Sequence, residues 1–202
     1  MTPDIVGSYS TRAAEYIGHL GSMEAVHPSD RELVTSWATS AGGPLLDAGC
    51  GPGHWTAHLA GRGLDVRGID PVSTFIDHAR QTWPGVPFSA ASIDSLPDPA
   101  DSYAGVLAWY SLIHHSPAEL RAALTEIARV VRPGGRLLVG FFLGSDGVEP
   151  FDHEVVTAYR WPATRLADEL HDAGFEVVET HTRVGAAPRP RPHGAVAARL
   201  AG

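Results

Sequence analysis

Two acidic residues and three glycines form the pattern in this sequence that is best suited to binding a small ligand. Asp47 ends a short apolar segment, and glycines follow at positions 49, 51 and 53 before the next predicted helix. Glycine lets the backbone turn sharply and lets a ligand approach without a Cβ atom in the way. A second acid, Asp70, ends the next predicted strand, 21 residues after the first glycine (70 − 49). A carboxylate at that position can accept hydrogen bonds from both hydroxyls of a ribose.

The same stretch disfavours a nicotinamide dinucleotide as the ligand. The dinucleotide fingerprint requires glycine at the position that His54 occupies, five residues after the first glycine (54 − 49). The carboxylate of Asp47 would also repel a pyrophosphate held in the turn, whereas it would attract an ammonium group. S-adenosylmethionine is the ligand that this pattern indicates. The pattern combines a glycine turn, an acid that suits an ammonium group (Asp47) and an acid that suits a ribose (Asp70).

The composition limits the other partners. The chain has 202 residues, 44% of them hydrophobic, which suits one globular domain spanning residues 1–202. Its formal net charge is −8 and all 15 basic residues are arginine, so nucleic acids and anionic membranes are not expected as partners. No apolar run approaches the ~20 residues of a membrane span, and no signal-peptide stretch opens the chain, which predicts a cytoplasmic protein. A single cysteine and the lack of a ligand cluster predict no metal site.

Helical and strand-like segments alternate along most of the chain. This alternation predicts right-handed crossovers and a mainly parallel sheet with helices on both faces. Residues 3–19 show a weak helical pattern, and a second helix is predicted to begin at Ser29, with Glu32 completing a capping box. Residues 133–135 are predicted to form a turn before a strand at 136–143.

The pattern is less regular toward the end of the chain. Residues 144–160 are predicted to be irregular and to overhang the ligand site on the substrate side. Strands are predicted at 175–183 and 193–200, joined by a proline-rich loop at 185–192. Because no helix separates these two strands, we expect them to form an antiparallel hairpin at one edge of the sheet.

Residues 43–143, and more loosely 161–200, resemble the class I S-adenosylmethionine-dependent methyltransferases. The motif DAGCGPG at residues 47–53 and the acid at Asp70 carry the resemblance. It implies an α/β fold with a Rossmann-like, doubly wound, seven-stranded sheet in the order 3-2-1-4-5-7-6, with the last strand antiparallel. It also implies S-adenosylmethionine as the cofactor and S-adenosylhomocysteine as its product.

The resemblance implies a role for each residue that matches the motif of the family. Asp47 would orient the methionine end of the cofactor, the three glycines would pass under the methionine and the ribose, and Asp70 would hold the ribose. Pro71 would pack on the adenine. Ser92 stands where many relatives have an aspartate that contacts the adenine amine, which leaves that contact to Ser92 and the backbone of Ile93.

The N-terminal helical region, residues 1–40, is expected to act as a lid over the cofactor. With this lid included, the expected cofactor contacts are Asp47, Gly49, Cys50, Gly51, Gly53, Asp70, Pro71, Ser92, Ile93, Ala108, Trp109 and Tyr9.

Methyl transfer from a sulfonium is an in-line displacement, and a hydroxyl or thiol acceptor usually also needs a base. His114 and His115 follow the fourth predicted strand, where a substrate would lie, so either is a candidate base. The alternative is that they only pack against the cofactor or begin the next helix. Candidate substrate contacts are Tyr110, His153, Tyr159 and Arg160.

These patterns predict transfer of a methyl group from S-adenosylmethionine to a small-molecule acceptor. The alternative is a protein of the same fold that binds the cofactor but has a non-methylating or scaffold role. The acceptor atom and the oligomeric state stay open at this point.

Overall fold

The computed structural model describes residues 3–153, 156–184 and 191–202. The helices of this part are α1 (Pro3–Thr11), α2 (Ala13–Leu20), α3 (Pro28–Ala41), α4 (His54–Ala60), α5 (Ser73–Thr82), α6 (Pro117–Val130) and α7 (Ala163–Asp172). The strands are β1 (Leu45–Ala48), β2 (Val66–Asp70), β3 (Phe88–Ala90), β4 (Tyr103–Trp109), β5 (Val131–Leu143), β6 (Glu149–Phe151), β7 (Ala158–Trp161), β8 (Phe175–Arg183) and β9 (His193–Leu200).

Parts of three predicted segments lie outside the described residues. They are residues 1–2 of the predicted lid, residues 154–155 of the predicted 144–160 loop, and residues 185–190 of the predicted proline-rich loop.

Five parallel strands form the centre of the sheet in the order β3-β2-β1-β4-β5. β9 pairs antiparallel with β5, and β8 pairs antiparallel with β9 at the edge. With β8 and β9 counted as the sixth and seventh strands, the order is 3-2-1-4-5-7-6 with the last strand antiparallel. The predicted fold and the predicted terminal hairpin are confirmed.

The prediction that residues 144–160 are irregular is wrong. β6 and β7 pair with each other in antiparallel register, and β7 also runs parallel to the end of β5, where Phe142 pairs with Arg160. This pairing extends the sheet past Trp109, the last residue of β4. Segments of three and four residues are too short to show an alternating pattern, and β7 depends on pairing with a distant strand.

The N-terminal helices differ from their predicted form. The weak helix at 3–19 is divided at Arg12 into α1 and α2. The second helix begins at Pro28 rather than Ser29, and the imidazole of His27 caps it by accepting a hydrogen bond from the Ser29 backbone N–H. Proline suits the first helical position because its missing N–H would have no partner there. Since the helix already begins at Pro28, Ser29 lies inside it and cannot cap it, and the predicted capping box with Glu32 does not form.

The predicted turn at 133–135 is a bulge inside β5. Tyr103 pairs with Val131, but the next pair joins Gly105 to Arg136, so the extra residues of β5 bulge away from β4. Gly134 takes a left-handed backbone angle (φ 72°) at this bulge. The strand continues as the buried run Leu137–Phe142, which lies between β4 and β9.

Candidate functional site

The turn that follows β1 is held by the neighbouring strand. The backbone N–H groups of Gly49 and Cys50 both donate to the carbonyl of Ile69, at 2.8 Å each. Gly49 has φ 80°, and a Cβ atom on it would overlap the Cβ of Ser111. Only glycine therefore fits this position without strain, and the turn stays close to the residues that follow β4.

Asp70 fixes the other side of the same turn. Its carboxylate accepts hydrogen bonds from the backbone N–H of Gly51 at 2.9 Å and of Val72 at 2.8 Å. Burial raises the pKa of Asp70 to about 6, although the two N–H donors stabilise the charged form and oppose this shift. The carboxylate therefore lies at the carboxyl end of β2, beside the turn, as the sequence predicts.

Asp47 lies deeper, at the carboxyl end of β1. It is almost fully buried, and the hydroxyl of Thr56 donates to its carboxylate at 2.7 Å. Burial raises the pKa of Asp47 to about 7, and the nearby charge of Asp70 adds to this rise. Two buried carboxylates whose pKa values are both raised form a site that favours a cationic ligand.

Two adjoining cavities open at this edge of the sheet. The first, here called the strand-tip cavity, has Asp70, Ser92 and His115 among its lining residues. The second, here called the wide cavity, is lined by Asp47, Cys50 and Phe142 among others. The two cavities are continuous because they share six lining residues: Tyr9, Tyr16, Gly49, Gly51, Trp109 and Tyr110.

The structure brings together ten of the twelve predicted cofactor residues. Eight line the strand-tip cavity: Tyr9, Gly49, Gly51, Asp70, Pro71, Ser92, Ile93 and Trp109. Asp47 and Cys50 line the wide cavity.

Gly53 and Ala108 line neither cavity. A Cβ atom on Gly53 would come within 2.7 Å of the Phe88 ring on β3 and 2.9 Å of the Ala79 Cβ on α5, so this glycine allows the turn before α4 to pack closely against both elements. Ala108 is fully buried in the main core. Contact of these two residues with the cofactor therefore stays a prediction that the cavity lining does not support.

His114 uses both ring nitrogens within the protein. Its Nδ1 lies 2.8 Å from the carbonyl oxygen of Thr157, and its Nε2 lies 2.7 Å from the hydroxyl of Tyr9. A carbonyl can only accept, so Nδ1 carries the proton and Nε2 accepts from the Tyr9 O–H. Burial lowers the pKa of His114 to about 4, which keeps the ring neutral at pH 7.

His115 makes a different arrangement in the same cavity. Its Nε2 lies 2.8 Å from a carboxylate oxygen of Asp94, which fixes the proton on that nitrogen. Its Nδ1 is buried and has no hydrogen-bond partner among the described residues, and the hydroxyl of Ser111 is in the same state. Both residues line the strand-tip cavity, so this cavity retains polar groups that a polar ligand could satisfy.

The four predicted substrate residues divide into two pairs. Tyr110 and His153 line the wide cavity. Tyr159 and Arg160 lie on β7 and line neither cavity. The Arg160 guanidinium lies 4.0 Å from the centre of the Phe151 ring and covers the β6–β7 hairpin. Contact of Tyr159 and Arg160 with a substrate therefore stays a prediction that the cavity lining does not support.

Several cavity residues are absent from the sequence-based expectation. His193, Arg183 and Arg191 line the wide cavity. The hydroxyl of Tyr110 lies 2.6 Å from Nδ1 of His193, and Tyr110 has a left-handed backbone (φ 56°), which is unusual for an aromatic residue. No local motif marks these residues; only the antiparallel hairpin brings the end of β8 and the start of β9 to the ligand edge.

The described residues contain no group of three or more histidines, cysteines, aspartates and glutamates placed to hold a metal ion. None of the helices described is both long enough and apolar enough to cross a bilayer.

Comparison with known proteins agrees with this geometry. Residues 45–135 match the family model described as a methyltransferase domain. This part of the chain is a methyltransferase domain, and the sheet has the strand order of the class I S-adenosylmethionine-dependent methyltransferases. In this family S-adenosylmethionine is the cofactor, and the paired acids, the glycine turn and the unsatisfied polar atoms of this chain fit an adenosyl ligand with a cationic end.

Two curated relatives are O-methyltransferases by name. The malonyl-[acyl-carrier protein] O-methyltransferase of Salmonella typhimurium is 32% identical over 131 residues, which are 65% of this chain and 50% of the relative. An O-methyltransferase of Pyrenophora dematioidea is 32% identical over 164 residues, or 73% of this chain and 60% of the relative. The chain thus spans about half to three fifths of the length of these relatives.

A solved structure shows the same fold along the full chain. The 1,6-didemethyltoxoflavin-N1-methyltransferase of Burkholderia thailandensis, solved with its substrate and S-adenosylhomocysteine, has a TM-score of 0.76 and 21% identity. The match covers 100% of this chain and 92% of that one.

Proposed function

We propose that the protein transfers a methyl group from S-adenosylmethionine to an oxygen atom of a small-molecule acceptor. The observation that carries this proposal is the pair of buried acids, Asp47 and Asp70, on either side of the glycine turn. Their ionised forms would attract the cationic methionine end and accept hydrogen bonds from the ribose. The names of the two O-methyltransferase relatives support oxygen as the acceptor atom.

The bound cofactor would supply an electrophilic methyl group on a positively charged sulfur. The protein has to keep water away from this group and align the acceptor with it. Tyr9 and Tyr16 line both cavities and pack edge-to-face with ring centres 5.6 Å apart. We therefore assign α1 and α2 the role of a lid that separates the reacting groups from solvent.

A hydroxyl acceptor must lose its proton, and the Tyr9–His114 pair suits this step. The proton of the acceptor would pass to the Tyr9 oxygen while the Tyr9 proton passes to Nε2 of His114. The imidazolium formed would keep its Nδ1–H on the Thr157 carbonyl, so the charge stays hydrogen-bonded. His115 is the other candidate base, because Asp94 accepts from its Nε2–H and its Nδ1 has no hydrogen-bond partner among the described residues.

The proposal is tested first by ligand binding. We expect S-adenosylhomocysteine to bind in a calorimeter and NAD to show no binding. Asp47→Asn and Asp70→Asn should each weaken S-adenosylhomocysteine binding by about tenfold or more, as expected for loss of a charged hydrogen-bond partner. Asp77→Asn is the matched control, because Asp77 is an exposed carboxylate on α5. Unchanged affinity in both site variants would contradict the cofactor site.

A second experiment separates catalysis from binding alone. The protein is incubated with S-adenosylmethionine and a panel of phenols and carboxylic acids, and products are detected by the mass of an added methylene. A methylated oxygen would support the proposal. Tight binding of S-adenosylhomocysteine without methylation of any panel member would favour the non-methylating alternative.

A further inference from the structure

The outer part of the wide cavity carries a concentration of basic side chains. Arg183 ends β8, Arg191 and His193 stand at the start of β9, and His27 precedes α3; all four line this cavity. Because β8 runs parallel to β5 and β9 runs antiparallel to it, Arg183, Arg191 and His193 reach the same sheet edge as the glycine turn. They lie on the far side of β4 and β5 from that turn, in a chain of net charge −8.

Arg183 is held in a fixed position. Its guanidinium forms an ion pair with Asp30 of α3 at 2.6 Å. The Nε atom of the same guanidinium is buried and has no hydrogen-bond partner in the part of the chain that the structure describes. A donor fixed in this way is ready to bind an acceptor oxygen without losing further side-chain entropy.

Two imidazoles, those of His27 and His193, line the same part of the cavity. Nδ1 of His27 accepts from the Ser29 N–H, so in the neutral ring the proton is on Nε2. Burial lowers the pKa of His193, and the charges of Arg183 and Arg191 lower it further. The opposing charge of Asp30 offsets only part of this field, so the cluster favours an anion.

Aromatic side chains separate this cluster from the glycine turn. The Phe142 ring lies 5.8 Å from the His193 ring and 5.3 Å from the Tyr110 ring, centre to centre. Trp109 also lines the cavity. A molecule that reaches from the cluster toward the turn would therefore lay a planar apolar body against these rings.

We propose that this basic cluster binds a carboxylate of the acceptor, and that the acceptor is a small aromatic or similarly planar carboxylic acid. This inference rests on the proposed function and adds the substrate class to it. Asp30 neutralises one of the basic groups, so a singly charged carboxylate suits the cluster better than a doubly charged phosphate. Residues Arg183, Arg191 and His193 would then determine which acceptors are recognised.

The test uses the full chain saturated with S-adenosylhomocysteine and titrates three probes at constant ionic strength: benzoate, benzamide and phenyl phosphate. We expect saturable benzoate binding, with benzamide and phenyl phosphate weaker by about tenfold. Arg191→Gln, and the charge-balanced double variant Arg183→Gln with Asp30→Asn, should each weaken benzoate binding by about tenfold. Arg165→Gln, an exposed arginine on α7, is the control and should bind benzoate as the native chain does.

Four results would overturn the inference: no saturable benzoate binding, equal binding of benzamide, tighter binding of phenyl phosphate, or unchanged binding in both site variants. Binding of S-adenosylhomocysteine is measured separately. Its loss would count against the proposed function, whereas benzoate binding by the ligand-free chain would still support the cluster as a carboxylate site. The two failures are therefore distinguishable.

Discussion

The carboxylate of Asp70 accepts a hydrogen bond from the backbone N–H of Gly51 at 2.9 Å, which joins the end of β2 to the turn after β1. Its other oxygen accepts from Val72, just before α5 begins. The acid that faces a ribose in the proposed function therefore also holds the turn that passes under the ligand. A change at Asp70 should affect ligand binding and local backbone order together.

The raised pKa values of the two acids predict how ligand affinity depends on pH. The pKa is about 7 for Asp47 and about 6 for Asp70, so both carboxylates take up protons as the pH falls from 8 to 5. The attraction of Asp47 for the ammonium group of S-adenosylhomocysteine is then lost, and the hydrogen bonds from the ribose hydroxyls to Asp70 are weakened. We expect affinity to fall with pH, approaching about tenfold per pH unit for each proton taken up.

Calorimetry at constant ionic strength measures this dependence. In the Asp47→Asn variant, the decrease in S-adenosylhomocysteine affinity near pH 7 should disappear. The decrease near pH 6, which comes from Asp70, should remain. An affinity that stays constant between pH 8 and pH 5 would contradict the assignment of Asp47 to the cationic end of the ligand and of Asp70 to its ribose.

The same shift predicts a pH-dependent stability of the ligand-free protein. The pKa of Asp47 is about 7 in the folded state against an ordinary value of 3.8, so the folded state binds its proton more readily. The contribution of Asp47 to the free energy of unfolding therefore decreases as the pH rises from about 4 to about 7. Buried His114, with its lowered pKa, has the opposite slope, so the comparison must be made against a variant.

Asp47→Asn isolates this contribution. Relative to the variant, the native chain should lose about 3 kcal/mol of unfolding free energy between about pH 5 and pH 8. Urea unfolding at the two pH values measures the difference. Parallel pH dependence in the two chains would show that Asp47 does not carry a raised pKa.

Gly49 and Gly63 offer a matched test of the turn. Both have a left-handed backbone, with φ 80° and φ 79°. A Cβ atom on Gly49 would overlap Ser111, whereas a Cβ atom on Gly63 would have no described atom within 4 Å. Gly63→Ala should cost only the backbone strain, about 1 kcal/mol, while Gly49→Ala should cost about 3 kcal/mol and weaken S-adenosylhomocysteine binding. Equal losses in denaturant unfolding would refute the overlap.

Local patterns in the sequence were sufficient for most of the fold. The hairpin of β8 and β9 has the predicted bounds, 175–183 and 193–200, because both segments begin and end at clear turn signals. The capping box of α6, formed by Ser116 and Glu119, is likewise visible from its spacing. β6 and β7 could not be predicted because pairing with a distant strand, rather than local preference, stabilises them.

The site shows the same division. Asp47 and Asp70 were found because a strand end followed by glycine is a local signal, and both reach the cavities. The sequence does not distinguish Gly53, which packs against Phe88, from the two glycines that line the cavities. Phe88 lies on β3 and reaches Gly53 only once the later strands have joined the sheet. The basic cluster around His193 was missed because its members come from different elements and meet only after the sheet has formed.

The hydrogen bond from Tyr9 to His114 predicts how firmly the proposed lid is held. Tyr9→Phe keeps the ring, which packs against Phe75 at 6.1 Å between centres, and removes only the hydroxyl. Loss of one buried hydrogen bond of about 1 kcal/mol should make the α1 amides exchange with solvent about fivefold faster. Ser10→Ala is the control, because the Ser10 hydroxyl donates to the Val6 carbonyl of its own helix. Hydrogen exchange followed by mass spectrometry measures both variants, and equal acceleration in the two would show that this contact does not hold α1 against the site.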